Sequence, residues 1–388
     1  MVISPRIRNN ICLTAHPEGC AAEVHRQIDY VKKNGRIEGT KSALIIGSST
    51  GYGLACRIAA AFGCGAATIG VFFEKEGAEK RPGTPGYYNM KAFDKEAADA
   101  GLFSKSINGD AFSNELKYQT IEAIKEGLGK VDLVIYSLAS GVRVDPADGT
   151  MYRSSLKPIG GEYRSRALDT MSGKIITMEI GPASEEEISN TEKVMGGEDW
   201  QLWIDALLEA DVLSEGVKTS AFSYIGPDMT MPIYRNGTIG NAKKHLEATA
   251  QKLDNKLAAA LGGSAFTSVN KALVTRAAAV IPAISLYISI LFRVMKDKNI
   301  HEGCIEQMDR FFRGLYKGNL TIDDENRVRM DDWEMREDVQ AAVDEIWNKA
   351  NDDNIEALSD IEGYHADFMN MHGFEVPGVD YEADVDPR

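Results

Sequence analysis

The stretch Ser42 to Phe62 restricts the fold more than any other part of this chain. Ser42-Ala-Leu-Ile-Ile is an apolar run of strand length, Gly47-Ser48-Ser49-Thr50-Gly51-Tyr52-Gly53 turns, and Leu54 to Phe62 has the small, apolar character of a helix packed on a sheet. Glycines at such a turn let the backbone bend sharply and approach an anion, which the N–H groups opening the next helix then face. By itself a glycine triplet also fits a tight turn with no ligand, so the flanking elements carry the argument.

Those elements continue the pattern. Ala67 to Phe73, Phe103 to Ile107 and Val131 to Ser137 read as further strands, with Asn114 to Gly127 as an intervening helix. Strands alternating with helices predict an α/β fold with a doubly wound, mostly parallel sheet of the Rossmann type. Between Gly141 and Asn190 the alternation gives way to turn-rich sequence, where Glu162 to Thr170 and Lys174 to Ile180 are suited to pair as a hairpin across Met171-Ser-Gly173. Such an insertion would lie over the carboxyl edge of the sheet, where ligands bind in these folds, or serve as a surface ornament. The alternation resumes with a helix around Glu198 to Ala210, strands at Val217 to Tyr224 and Phe266 to Val274, a helix at Ala242 to Leu261, and an outer helix within Asp331 to Ala357. The expected organisation is one elaborated domain over residues 1–388, with a first dinucleotide-binding half at 42–140, a hairpin-containing insertion at 141–190, and the remaining sheet, catalytic segment, substrate-binding and outer helices at 191–388.

With 43 basic and 58 acidic side chains the net charge is −15, which disfavours nucleic acid and anionic membranes as partners. Cys12, Cys20, Cys56, Cys64 and Cys304 are an odd number in a long chain without a charged-then-apolar leader, so free thiols and a cytoplasmic location are expected. The most apolar run, Ala277 to Phe292, spans sixteen residues. At about 1.5 Å per residue it falls short of a ~30 Å hydrocarbon core, and it reads as a buried or cleft-lining helix.

Glu74 ends the second strand 21 residues after Gly53, near the spacing at which an acid takes the adenosine ribose hydroxyls. A carboxylate there repels the extra phosphate of NADPH, so NADH is the expected cofactor. Lys75 beside it argues the other way, and a solvated strand-end glutamate is the plain alternative. Asp110 with Ala111 would flank the adenine, and Leu138 with Ala139 would pass beneath the nicotinamide-proximal ribose, both judged from their strand-end positions.

Downstream, Tyr234 and Lys243 stand nine positions apart in Tyr-Arg-Asn-Gly-Thr-Ile-Gly-Asn-Ala-Lys. Nine steps along a straight helix rotate by about 900°, which puts the two side chains on opposite faces. Asn236-Gly237 and Gly240 supply a break, after which Asn241 or Thr238 would cap a new helix carrying Lys243, while Tyr234 projects from the preceding segment. Reducing a double bond conjugated to a thioester needs hydride at the β carbon and a donor for the charge growing on the carbonyl oxygen. A phenol O–H supplies that donor. A nearby ammonium would lower the phenol pKa and could also reach a cofactor ribose, and Tyr224 would be a second donor. Taken as spacing alone, a packed tyrosine and a solvated lysine would be the ordinary reading.

The chain resembles the trans-2-enoyl-CoA reductase family, including the enoyl-acyl-carrier-protein reductases with a Tyr-x8-Lys motif. The resemblance covers almost the whole chain, through Arg6 to Cys12, His16-Pro-Glu-Gly-Cys20, Gly51-Tyr-Gly-Leu54, Gly65 to Val71, Gly109-Asp-Ala-Phe-Ser113, Val194-Met-Gly-Gly197, Ser223-Tyr-Ile-Gly226, Thr275 and His301 to Glu306. It implies NADH-dependent saturation of trans-2-enoyl thioesters such as crotonyl-CoA, in fatty acid synthesis or butyrate-type fermentation, with acyl carrier protein as the second candidate carrier, and a monomer. It also implies Tyr234 as catalytic donor, Tyr224 as a substrate-carbonyl contact and Lys243 as a cofactor-ribose contact. Gly47 to Tyr52, Phe73, Glu74, Asp110, Ala111, Leu138 and Ala139 match the NADH-binding positions, while Leu273, Val274 and Thr275 match the segment beside nicotinamide and substrate. One departure lies in Ser140-Gly141-Val-Arg143, where glycine stands in place of proline. The pocket near Met229 to Ile233 and the Pro282 helix would set the acyl-chain limit. A carbonyl reductase or a catalytically silent NAD-sensing protein would share the same cradle.

Other signals are weaker. Cys12, His16 and Cys20 recur every four residues like soft metal ligands, yet Pro17 and Gly19 oppose a helix through them and no fourth ligand is evident, so no metal is expected. Nothing orients His301 and Cys304 as a base and nucleophile. Asp323-Asp-Glu-Asn326 lacks the glycine and spacing of a calcium loop. His245 would point about 200° away from Lys243 on a helix.

Overall fold

The computed structural model describes residues 1–8, 11–169, 172–278 and 281–388, apart from the side chains of Pro282 and Ala283. Seven parallel strands form the central sheet: β1 (Ser42–Ile46), β2 (Ala67–Phe72), β3 (Ser104–Asn108), β4 (Val131–Tyr136), β5 (Leu213–Ser223), β6 (Ser264–Val269) and β7 (Arg327–Arg329). Their spatial order is β7-β6-β5-β4-β1-β2-β3. The order reverses between β1 and β4, and in open α/β sheets the crevice beyond the strand ends at such a switch point is where ligands bind. The expected doubly wound sheet is what the chain builds.

The helices that pack around this sheet and its insertions include α1 (Pro17–Lys33), α2 (Gly51–Ile58), α3 (Pro85–Asp99), α4 (Asn114–Gly127), α5 (Glu185–Met195), α6 (Glu198–Glu209), α7 (Thr238–Leu261), α8 (Pro282–Asp297), α9 (Cys304–Lys317) and α10 (Glu337–Lys349). Alternate residues of β1 sort into two cores. Ala43 and Ile45 meet α2, α3 and α9, while Leu44 and Ile46 meet α4, α6 and α7. That two-sided burial explains why the strand reads as an unbroken apolar run. A third core gathers around α8 with Tyr234, Val339 and Val343 of α10, and Tyr364 and Phe368 of a helix at Ile361–Asn370.

Several boundaries differ from those read in the sequence. The helix after the glycine turn is α-helical only to Ile58 and continues as a π-type turn over Ala59–Gly63. The strand expected at Phe266 to Val274 stops at Val269: Asn270 N makes the last bond to β5, at Ser223 O (3.0 Å), and beyond it Lys271 N donates to Gln307 Oε1 (3.1 Å) and Ala272 N to Glu334 Oε2 (2.8 Å), so neither is left for a ladder. In the apolar run from Ala277 a helix begins at Pro282, whose fixed φ suits a first helical position; Ala279 and Val280 of that run lie outside the described residues. The outer helix begins at Glu337, and Asp331 to Met335 form turns. Tyr163–Asp169 and Lys174–Ile180 pair antiparallel, and that hairpin packs on α8; Thr170 of the expected strand, Met171 of the expected turn, and Asn9 and Asn10 of the amino-terminal motif lie outside the described residues. Among the described residues no helix is long and apolar enough to cross a membrane, and all five cysteines are free thiols.

Candidate active site

A cleft of about 780 Å³ runs past the carboxyl ends of β1, β2, β4 and β5. Its lining includes Gly47, Ser49, Thr50, Gly51, Tyr52, Phe73, Glu74, Asp110, Ala111, Leu138 and Ala139 at one end and Tyr224, Tyr234, Lys243, Leu273 and Thr275 at the other. Two expected cofactor contacts face away from it. Ser48 is fully buried with Oγ donating to Val71 O (3.2 Å), and Val274 packs in the α8 core.

At the first end the backbone does the shaping. Gly47 has φ of +86°, and a Cβ there would sit 2.2 Å from Ser137 O, so no other residue allows this crossing from β1 to α2 beside β4. Thr50, the residue preceding α2, makes no side-chain capping bond, which leaves the first-turn N–H groups for an anion. Glu74 accepts from Ser49 Oγ (2.9 Å) and pairs with Arg276 Nη1 (2.5 Å). Ala111 O accepts from Trp203 Nε1 (3.0 Å) and from buried Lys117 Nζ (3.1 Å), which also pairs with Asp199 (2.8 Å). The adenine-side loop is therefore held from behind. Gly141 meets nothing within 4 Å where a Cβ would stand, so replacing proline there strains nothing. The donor set fits a dinucleotide: a cradle for phosphate, a carboxylate for hydroxyls and a lysine further along.

At the second end Tyr234 lies in the turns between Asp228 and Asn236. Gly240 sits on the α7 first turn, where a Cβ would fall 2.2 Å from Tyr234 O, so this fold-back explains the spacing of Tyr234 and Lys243. Neither expected cap forms. Gly237 precedes the helix with no side-chain capping bond, and Thr238 Oγ1 instead accepts from Lys157 N (3.2 Å). Arg235 clamps the segment to α7 through a two-pronged pair with Glu247 (2.9 and 3.0 Å). The Tyr224 and Tyr234 rings meet edge to face at 5.0 Å between centroids.

The ammonium does not do to the phenol what its spacing suggested. Lys243 Nζ donates to Phe222 O (2.8 Å), and burial lowers its pKa to about 8. Burial pushes Tyr234 well above the usual phenol range, with no lysine acting against it. Tyr234 is thus a neutral donor and not a phenolate. Thr275 stands over the glycine turn, its Cγ2 lying 3.6 Å from where a Gly51 Cβ would be.

The signals set aside in the sequence have ordinary structural uses. His16 Nδ1 accepts from Gly19 N (3.2 Å) ahead of α1, which begins at Pro17 and so excludes Cys12. His245 Nδ1 accepts from Gly197 N (3.0 Å). His301 is held to a pKa of about 2 by burial and by Lys271 and Lys296, and Cys304 is pushed far up by burial. Asp323 pairs with Arg327 and Arg329. No cluster of ligands suited to a metal occurs among the described residues. Sequence reasoning missed Arg276, Lys271 and Glu334. Arg276 follows the family-matched Thr275, which was a signal available in the sequence; Glu334 lies in an acidic stretch with none.

Residues 81–316 match the family model of the trans-2-enoyl-CoA reductase catalytic region, and residues 2–79 that of the NAD(P)H binding domain of trans-2-enoyl-CoA reductase. The chain belongs to the trans-2-enoyl-CoA reductase family. It is an NADH-dependent enoyl reductase with a Rossmann-type fold. The trans-2-enoyl-CoA reductase of Treponema denticola, solved with NAD, is 51% identical and superposes with a TM-score of 0.96 over 100% of this chain and 98% of that one. Enoyl-acyl-carrier-protein reductases (NADH) of Flavobacterium johnsoniae and Coxiella burnetii are 55% and 56% identical, over 99% and 100% of this chain and 98% and 96% of theirs. Residues 322–385 match a family model described as an enoyl reductase FAD binding domain. They do not fit a flavin. They contribute nothing to the lining of the large cleft, their apolar side chains Val339, Val343, Tyr364 and Phe368 pack against α8, and their strongly acidic composition would repel a diphosphate.

Proposed function

We propose that this reductase saturates short trans-2-enoyl-CoA thioesters, crotonyl-CoA among them, with Tyr234 as the donor to the carbonyl oxygen. The observation that carries the reading is the placement of two neutral phenols, Tyr234 and Tyr224, at one end of a cleft whose other end is the glycine cradle. When bound, NADH supplies a hydride to the β carbon, and the double-bond electrons move toward the thioester oxygen. Tyr234 O–H stabilises the charge that forms there. Tyr224 adds a second donor, and the α carbon then takes a proton. Lys243 is anchored on Phe222 O, at the end of β5, and lines the cleft where it would hold the nicotinamide-side ribose. Glu74, paired here with Arg276, would hold the adenosine ribose hydroxyls.

Acyl carrier protein is the second carrier, favoured by the 55–56% identity to relatives that bear its name. The net charge of −15 opposes it, because an acidic carrier would be repelled. We also read the chain as one elaborated domain, a monomer and a cytoplasmic protein. The test is NADH oxidation with crotonyl-CoA, with its acyl-carrier-protein counterpart and with NADPH, the saturated product being identified by mass. Faster turnover of the carrier-protein thioester would replace the first reading by the second.

A further inference from the structure

Behind Tyr224 lies Glu334, a fully buried carboxyl on the turns that precede α10. Its Oε1 meets Tyr287 Oη at 2.6 Å and Tyr224 Oη at 3.3 Å, and its Oε2 accepts from Ala272 N at 2.8 Å. Gln340 Nε2 reaches Tyr287 Oη at 3.2 Å and Glu334 O at 2.7 Å.

The direction of this chain follows from what each group can donate. An amide nitrogen only donates, so the Tyr287 oxygen accepts from Gln340 and its one hydrogen goes to Glu334 Oε1. The Ala272 N–H fixes Oε2 as an acceptor. A proton carried on Oε1 then has one partner left, the oxygen of Tyr224, whose own hydrogen is released from the carboxyl and can face the cleft, Thr230 Oγ1, which donates to Pro227 O (3.1 Å), being the other polar group beside it. With no proton on Oε1, Tyr224 must donate to the carboxylate, and that hydrogen is withdrawn from the substrate.

We propose that Glu334 is a positioning residue that sets the direction of the Tyr224 hydrogen: as a neutral carboxyl it donates to Tyr224 and turns the phenol toward the substrate carbonyl, and as a carboxylate it draws the phenol back. The proposal rests on the reading of Tyr224 as a second carbonyl donor. Only hydrogen-bond directions change, so no further reactant is required.

The groups facing Glu334 permit both states. Lys271, on the segment after β6, favours the carboxylate, as do the bonds from Tyr287 of α8 and from Ala272 N. Asp331, on the same turns as Glu334 and paired with Arg329 (2.7 Å), favours the neutral form. Gln340 of α10 is uncharged, and Tyr52 of α2 donates to Lys271 O (2.8 Å). Burial outweighs the rest and raises the carboxyl to about 7.

The test is kcat/KM for crotonyl-CoA at saturating NADH, followed from about pH 6 to about pH 9. The wild type is expected to lose roughly tenfold as Glu334 ionises, down to the level that Tyr234 sustains alone. In Glu334→Gln the Ala272 N–H holds the amide oxygen and the amide nitrogen replaces Oε1; because that nitrogen cannot accept from Tyr287, the substitution is made together with Tyr287→Phe, the amide nitrogen then donates to Tyr224, and the fall disappears. A purely structural role would lower the rate equally at every pH. A fall that persists in Glu334→Gln would belong to Lys243 or Lys271, both of which burial lowers to about 8, and would overturn the proposal, as would a flat wild-type profile. Tyr224→Phe should reduce kcat/KM at low pH and also abolish the fall, and it decides the matter if Glu334→Gln does not fold. A fall retained in Tyr224→Phe overturns the proposal, whereas wild-type rates in that variant at every pH overturn the underlying role of Tyr224.

Discussion

The two ends of the cleft are built in opposite ways. At the cofactor end the shape comes from backbone: a glycine crossing at Gly47, the start of α2, and the ends of β2, β3 and β4, all within residues 42–140. At the substrate end it comes from side chains that arrive from the end of β5, the Asp228 to Asn236 turns, α7, the segment after β6 and α8, with Glu334 behind them from the turns before α10. A backbone cradle tolerates varied side chains but not a Cβ in the wrong place. A side-chain cage tolerates backbone drift but not the loss of one donor.

Breaking that contrast should produce its largest effect at Tyr234. Tyr234→Phe removes one O–H and leaves packing intact, so kcat should fall roughly 10²–10³-fold while NADH binding, followed by fluorescence titration, stays close to wild type. Unchanged turnover would move the donor role elsewhere. Next is Gly47→Ala, where the added methyl meets Ser137 O at 2.2 Å in a left-handed conformation. A cost of about 1–3 kcal/mol is expected, read as weaker NADH affinity by calorimetry with the acyl site unaltered in position; an affinity equal to wild type would mean the cradle is not backbone-limited.

Smaller effects sharpen the comparison. Glu74→Ala removes the carboxylate and frees Arg276, so the NADPH to NADH ratio of kcat/KM should rise by about tenfold, the worth of one charge-assisted bond. A constant ratio would place the selectivity outside this pair. Trp203→Phe deletes the bond to Ala111 O, which keeps Lys117 as a partner. It should cost about 1 kcal/mol in urea unfolding with little change in kcat, and a large loss of activity instead would show that the adenine-side loop governs the chemistry.

The cofactor end was legible in the sequence because its determinants are local. A strand-length apolar run, a glycine turn and a carboxylate at the next strand end keep their meaning wherever the rest of the chain goes. Even so, the side chains of Ser48 and Val274 pack in the core, since which side of a turn a side chain takes is settled by packing. The Tyr234 and Lys243 pairing was recognisable through its glycines and through family resemblance. Its electrostatics were not, because burial, which raises the phenol and lowers the ammonium, is a property of the surroundings and not of the spacing.

By itself the sequence determined the alternation of strands and helices, the cradle and the residues offered to it, because apolar periodicity and the absence of a Cβ act over a few residues. Only the tertiary structure decided that β6 ends at Val269, that Lys243 anchors on Phe222 O, and that Glu334 stands behind Tyr224. These depend on which distant groups satisfy one another once water is excluded. A buried polar atom must find a partner from whatever the fold brings near, and no local pattern names that partner in advance.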